Sequence, residues 1–289
     1  MAEAGPGRLQ SGGPSATAMG VAIRRAAHQL FDDPKVFDDP LATRIIGAPL
    51  LERLRSERER HRHPFNLALR AHVVARSRFA EDRLQAAYDK GVRQYLVLGA
   101  GLDTFGWRNP HADLTVFEVD HPSTQAWKRA CVAGMGEETP ANLVFAPVDF
   151  QNQTLADGLA GAGFDDASPA FVSWLGVAMY LSEEAVMRTL AALARLPGRS
   201  EVVFDFAVPA SSLPPLARLA QRALASRVAA AGEPFLSAFE PSSLPARLQA
   251  LGFTEVEVVS PDSLNALYFG GRSDGLRLAG ASRIARAAA

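Results

Sequence analysis

LGAGLDTFGWR, residues 98–108, places two glycines one residue apart directly after the apolar run QYLVL, with an aspartate two residues further on. Glycines without Cβ atoms let a backbone come close to a nucleotide. Thr104 stands where a dinucleotide fingerprint carries its third glycine, which disfavours a pyrophosphate. By itself the turn leaves the nucleotide open, and its neighbours must decide it.

Outward from this turn, short apolar runs alternate with helix-length segments. The runs are QYLVLGA (94–100), LTVFEVD (114–120), NLVFAPVDF (142–150), PAFVSWLG (169–176) and SEVVFDFA (200–207). They are rich in Val, Leu and Phe and alternate little, as expected of strands covered on both faces. HPSTQAWKRACVAG (121–134) and LSEEAVMRTLAALARL (181–196) read as helices between them. Alternating strand and helix predicts an α/β fold with a parallel sheet and right-handed crossovers. The end of the chain breaks the pattern. SSLPARLQALGF (242–253) reads as a helix, TEVEVVS (254–260) as a strand, and 273–287 as another strand with no helix between the two. That order predicts an antiparallel hairpin at one edge of the sheet.

Before the turn the chain is helical. Residues 1–14 read as a disordered tail rich in Gly, Pro and Ser. Residues 15–91 read as a helical extension, 92–207 as a ligand-binding core, 208–241 as a helical flap with several prolines, and 242–289 as the end of the sheet, all one domain from residue 15. FDDPKVFDDP (31–40) reads as turns around two prolines, and ERLRSERERHRH (52–63) as a solvated helix face. The helix over 70–91 reads as amphipathic, closed by Gly91.

Composition bounds the function. Thirty basic and 31 acidic residues leave a net charge of −1, which gives no general reason to expect nucleic acid or an acidic membrane as partner. One cysteine, Cys131, excludes an internal disulfide and a cysteine-rich zinc site. His61 and His63 lie among arginines, which disfavours a metal ion there. No apolar run reaches the roughly 18 residues of a membrane span, and the first residues lack the apolar core of a signal peptide. A cytoplasmic protein without a metal, acting on a small molecule, is the expectation.

Three strand ends carry informative residues: the glycine turn, and two that end in acids. In open α/β sheets ligands bind beyond the carboxyl ends of the strands. Asp120, closing Phe117-Glu118-Val119-Asp120, is placed to accept both hydroxyls of a ribose; a solvated acid is the plainer alternative. Asp149-Phe150, closing the third run, is placed to hold an adenine, with the carboxylate on the exocyclic amine and the ring packed on Phe150; a helix N-cap explains Asp149 equally well. Ribose and adenine without a phosphate cradle fit S-adenosylmethionine, whose tail is an amino acid on a sulfonium.

The residues SATA, FDDPLA, ARSRFAEDRL, QYLVLGAGLDTFGWR, FEVDHP, VDF and MYLSEEAV occur in the order seen in the leucine carboxyl methyltransferase-like family, which this chain resembles from about Ser15 onward. The resemblance implies a class I methyltransferase, Rossmann-like, with seven strands, a C-terminal antiparallel hairpin and a helical N-terminal extension. It implies that Gly99 and Gly101 line the methionine part of S-adenosylmethionine, Asp120 the ribose, and Asp149 and Phe150 the adenine. Arg76 would pair with the cofactor's carboxylate, and Arg25 would face the cofactor from the N-terminal helix. One position departs: Leu175 stands where related sequences often carry a glutamate.

Methyl transfer from a sulfonium requires alignment and exclusion of water. A carboxylate acceptor needs no base, whereas a phenol or alcohol benefits from one. His72, His121 and Tyr180 are the substrate-side candidates, and none stands out as a base. The reading is an S-adenosylmethionine-dependent O-methyltransferase acting on a small molecule. Its alternatives are a methyltransferase-like protein that binds the cofactor without turnover, prompted by Leu175, and an NAD(P)-dependent oxidoreductase.

Overall fold

The computed structural model describes residues 15–149, 153–280 and 282–289. The tail expected over 1–14 and the adenine contact expected of Phe150 lie outside these residues.

Five helices come first: α1 (Ala16–Phe31), α2 (Ala42–Ile45), α3 (Ala48–Ser56), α4 (Arg58–His61) and α5 (Pro64–Asp89). The first half of the sheet follows as β1 (Gln94–Leu98), α6 (Phe105–Arg108), β2 (Thr115–Asp120), α7 (Pro122–Met135) and β3 (Leu143–Pro147). The second half is α8 (Leu155–Ala160), β4 (Ala170–Trp174), α9 (Glu183–Leu193) and β5 (Glu201–Ala207). The chain closes with α10 (Pro215–Ala230), α11 (Leu244–Ala250), β6 (Glu255–Val259), α12 (Pro261–Tyr268) and β7 (Ser282–Ala288).

The seven strands lie in the order β3-β2-β1-β4-β5-β7-β6. β1 to β5 are parallel, and β7 runs antiparallel between β5 and β6. Every residue of β1, β4 and β5 is buried, which is why these runs carry apolar side chains without alternation. Leu96, Val172, Phe204 and Phe206 face α9 and α11 through Leu190 and Leu248. Tyr95, Phe171, Val203 and Ile284 face α5 and α12 through Val74, Phe79 and Leu264.

Two expectations need correction. The segment between β6 and β7 is not a plain loop, because α12 forms there. Ser260 caps it by accepting from the Ser263 amide, Pro261 starts it, and Leu264 anchors it in the core. Helix α5 begins at Pro64 and is not an amphipathic surface helix. It is wedged between the sheet and α1, so that Arg70 and Arg76 are buried along with Ala71, Val74 and Phe79. The buried arginines of α5, like Arg25 on the neighbouring α1, are neutralised inside by acids. The FDDP turns supply two of these: Asp32 accepts from Arg70 Nε at 2.7 Å, and Asp39 pairs with Arg25.

The direction of the strand order reverses between β1 and β4. In open α/β sheets the carboxyl edge at such a point is where the ligand crevice lies; here it is flanked by the Gly99–Gly101 turn after β1 and by Leu175-Gly176 after β4. The helix α1 and the segment 231–240 lie over it. Glu233 accepts from Ser15 Oγ at 2.8 Å and from the Thr17 amide at 3.1 Å, tying the segment after α10 to the first turn of α1.

Candidate active site

The glycine turn is held from three directions. Gly99 and Gly101 both have positive φ, 68° and 49°. A Cβ on Gly99 would sit 2.3 Å from Val177 Cγ2, and one on Gly101 would sit 3.1 Å from Ala18 Cβ. The turn is therefore gripped between α1 and the loop after β4, and only glycine fits both places. The Gly101 amide does not face the crevice as a free donor. It donates to Asp120 Oδ2 at 2.6 Å, while the His121 amide donates to Oδ1 at 2.7 Å. Burial raises the Asp120 carboxyl from its ordinary value, and these two amides work against that rise. Each carboxylate oxygen keeps a further lone pair, so an orientation-locked acceptor pair stands at the end of β2.

Arg25 does not reach the crevice as a free cation. It pairs with Asp39, lies 3.2 Å from Asp103 Oδ2, and donates to Thr104 Oγ1 at 2.7 Å. Burial raises the Asp103 carboxyl, but Arg25, Lys128 and Arg108 pull it below its ordinary value. Thr104 Oγ1 in turn donates to Asp39 Oδ1 at 2.7 Å. The place of a third glycine is thus taken by a buried polar knot that pins the turn to the N-terminal extension. Its neighbour Arg24 is the residue that approaches the site. Burial and the like charge of Arg76 lower the Arg24 pKa, and the Tyr180 phenol opposes them. Among the described residues its one side-chain hydrogen bond is to Gly20 O, at 2.7 Å.

Glu118 shares a strand face with Asp120 but is sealed inside. Burial pushes its carboxyl up to about 7, opposed by Lys128, whose Nζ donates to Oε2 at 2.5 Å. Asp149 lies two residues past β3. The Val148 amide donates to Asp120 O at 2.9 Å, which sets the 148–149 backbone beside the end of β2. Asp149 does not cap the next helix: Thr154 does, in a capping box with Asp157. Among the described residues, the cap of α8 is therefore Thr154.

Beyond β4 a second cluster faces the crevice. Gly176 has φ 75°, and a Cβ there would lie 2.6 Å from Arg76 Nη2. Arg76 Nη1 donates to Asp205 Oδ2 at 2.7 Å, His72 Nε2 is 3.1 Å from the same oxygen, and the Gly176 amide donates to Oδ1 at 2.5 Å. Asp205 is fully buried, yet Arg76, the His72 bond and the Gly176 amide overcome the desolvation and hold its carboxyl far below the ordinary range. Asp205 was legible in the sequence as the one acid inside an apolar run, VVFDFA, but reads there only as a strand residue. Leu175 packs half-buried against the core on the α5 side.

The three substrate-side candidates separate. His72 sits in this cluster, with its side chain 16% exposed. The Tyr180 ring lies 5.4 Å from Phe235, under the segment after α10, and burial pushes its phenol up to about 12. His121 caps α7, accepting from the Ser123 amide, with its ring exposed. His61 and His63 do not converge, since His63 caps α5 and His61 packs near Phe31. No group of three metal-ligating side chains occurs among the described residues. No described helix is long and apolar enough to cross a membrane.

Next to the cluster a cleft of about 300 Å³ opens between the end of β5, α10 and residues 235–238. Ala207, Val208, Ala225, Phe235 and Leu236 give it apolar walls.

Residues 18–194 match the family model described as leucine carboxyl methyltransferase. The chain is 31% identical over 285 residues to the Bacillus subtilis protein named "Putative S-adenosyl-L-methionine-dependent methyltransferase YktD", covering 91% of this chain and 93% of that one. A Mycolicibacterium paratuberculosis protein of the same description is 34% identical over 182 residues, and the match spans 56% of its length. Among solved structures, one described as a methyltransferase from Thermobifida fusca superposes with a TM-score of 0.58 at 19% identity over 93% of both chains, a likeness of fold. With its Gly-x-Gly turn, its anchored Asp120 and a match over most of its length, the chain belongs to the leucine carboxyl methyltransferase family.

Proposed function

We propose that this chain transfers the methyl group of S-adenosylmethionine to an oxygen atom of a small molecule. Dependence on S-adenosylmethionine and methyl transfer follow from the family; the oxygen acceptor and the residue roles are the proposed part. The observation that carries the reading is Asp120. Its carboxylate is fixed by two backbone amides at the end of β2, with one lone pair per oxygen turned to spare, as a vicinal diol requires.

The residues present fit the cofactor. Asp120 would take the ribose hydroxyls and Asp149, beside it, the adenine amine. Gly99 and Gly101 leave the turn bare of side chains where the methionine backbone would pass. Arg76 and Arg24, two guanidinium groups that repel each other, would share the cofactor's carboxylate, which relieves that repulsion. Arg25 would act at one remove, by holding Asp103 and the turn. When bound, the cofactor supplies a methyl group already activated on a sulfonium. The chain's task is to align an acceptor and keep water out, which the roof of α1 and residues 231–240 serves. An oxygen acceptor is supported by the family description, and a small one by the size of the apolar cleft, at the lower end of ligand pockets.

The test is release of S-adenosylhomocysteine from S-adenosylmethionine with a panel of small carboxylates and phenols, together with equilibrium binding of S-adenosylmethionine against NAD. Turnover with at least one oxygen acceptor and no competition by NAD is expected. Tight binding without turnover on any acceptor would favour the binding-protein alternative that Leu175 prompts. Preference for NAD would overturn the reading.

A further inference from the structure

We propose that His72, oriented by Asp205, is the general base of the transfer, and that the acceptor is therefore a phenolic hydroxyl on an aromatic small molecule. This rests on the methyltransferase reading above. Asp205 is ionised and can only accept, so the 3.1 Å contact fixes the proton of the neutral ring on His72 Nε2. The lone pair then belongs to Nδ1, which has no hydrogen-bond partner among the described residues. Asp205 is fully buried and bonded to the Gly176 amide and Arg76 as well, so it cannot turn away from the ring. This arrangement, a base held by a buried carboxylate, is the one that general-base sites share.

The other two candidates suit the role less. The Tyr180 phenol stays protonated through the physiological range. The His121 ring is exposed and hydrogen-bonded to Ser123 Oγ at 2.7 Å. A carboxylate acceptor has no proton to surrender at neutral pH, and a base beside it would be idle. The charged and titratable groups that act on the pair are Arg76 on α5 and Tyr180 after β4; Arg24 on α1, Arg227 on α10 and Glu233 stand one step further out, Arg24 and Glu233 acting on Tyr180 and Arg227 on Arg24.

The cleft supplies the aromatic part of the class. Ala207, on its wall, is two residues beyond Asp205 on the same face of β5, roughly 7 Å along the strand. An aromatic acceptor seated against Ala207 and Phe235 would direct its hydroxyl back along β5 toward His72. In the step, the acceptor's O–H proton passes to His72 Nδ1. The oxygen's electron pair forms the O–CH3 bond, and the S–CH3 pair stays on sulfur. The positive charge thus moves from the sulfonium to the imidazolium, where Asp205 stabilises it.

The experiment titrates 4-nitrophenol into the protein saturated with S-adenosylhomocysteine, near pH 6, where free nitrophenol is mostly protonated. The wild type should bind it with the absorption of nitrophenolate, as an ion pair in which the proton resides on His72 and not on the phenol oxygen. His72→Gln, which keeps a donor to Asp205 but has no base, should lose the nitrophenolate signal about tenfold or more. His72→Ala should behave the same way. Both variants should keep, within a few-fold, their affinity for S-adenosylhomocysteine, and His72→Gln, which keeps a donor to Asp205, should lose less thermal stability than His72→Ala. Equal nitrophenolate signal in the variants, or none in a wild type that binds S-adenosylhomocysteine, would overturn the proposal. A wild type that does not bind S-adenosylhomocysteine would overturn the methyltransferase reading instead.

Discussion

At the scale of the residue, the informative groups are those whose neighbours remove an ambiguity of type. Asp205 is such a group. Its carboxyl is held far below the 3.8 of a free aspartate. A carboxyl depressed in the folded state adds stability that is complete above the unfolded value and is lost as pH falls through it toward the folded one. Asp205→Asn should therefore cost about 3 kcal/mol at neutral pH, by leaving Arg76 buried without its partner. The gap to wild type should narrow as pH falls below about 4. Denaturant unfolding over a pH series measures this, and a gap that stays constant into acid would refute the assignment. The sequence carried half of the site at this scale. Asp120 and the glycines are legible because a turn after a strand constrains them locally. Arg24 and Arg25 are not told apart, because adjacent residues on a helix point roughly 100° apart and only packing against the turn sets the phase. His121 is an N-cap for the same kind of reason: its ring finds a partner two residues away before any ligand.

At the scale of the element, the contact between α1 and the segment after α10 has the clearest consequence. Glu233 puts a carboxylate on the first turn of α1, where Ser15 already caps and the helix dipole favours negative charge. Glu233→Ala should cost about 1 kcal/mol of stability and speed the release of S-adenosylhomocysteine, because the roof of the crevice loses a tie. Stopped-flow displacement checks the rate; an unchanged dissociation rate would show that this segment does not gate the site. The strands were legible from composition because burial on both faces leaves a signature that needs no partner to read. Helix α12 was not. Its eight residues offer one buried leucine and a serine cap, too little periodicity to separate from a loop. The nature of α5 was hidden as well, since burying arginines depends on acids 38 and 129 residues away in the chain.

At the scale of the whole molecule, the N-terminal helices are part of the site's foundation. Arg70 donates from Nε to Asp32 Oδ2 at 2.7 Å and from Nη2 to Oδ1 at 2.8 Å, all buried, and His28 shares the same acid. Arg70→Met should leave Asp32 without its cation and destabilise the chain by about 3–5 kcal/mol, although no crevice residue is touched. Chemical denaturation measures it, and a neutral effect would mean the extension is held by apolar contacts alone. The parallel sheet and its antiparallel end were legible as a class because local runs and their spacing limit which topologies are possible; the strand order was not. The closing of α1 over the glycine turn was not, since it depends on an 83-residue separation between Ala18 and Gly101. The central claim is that Asp120, locked by two amides, grips the ribose of the cofactor. Calorimetric titration of S-adenosylhomocysteine into the wild type and Asp120→Ala tests it directly. The account predicts a loss of roughly 100-fold or more in affinity, about 3 kcal/mol for two hydrogen bonds to a charged group, with the fold intact by circular dichroism. Equal affinity in the two proteins would contradict it.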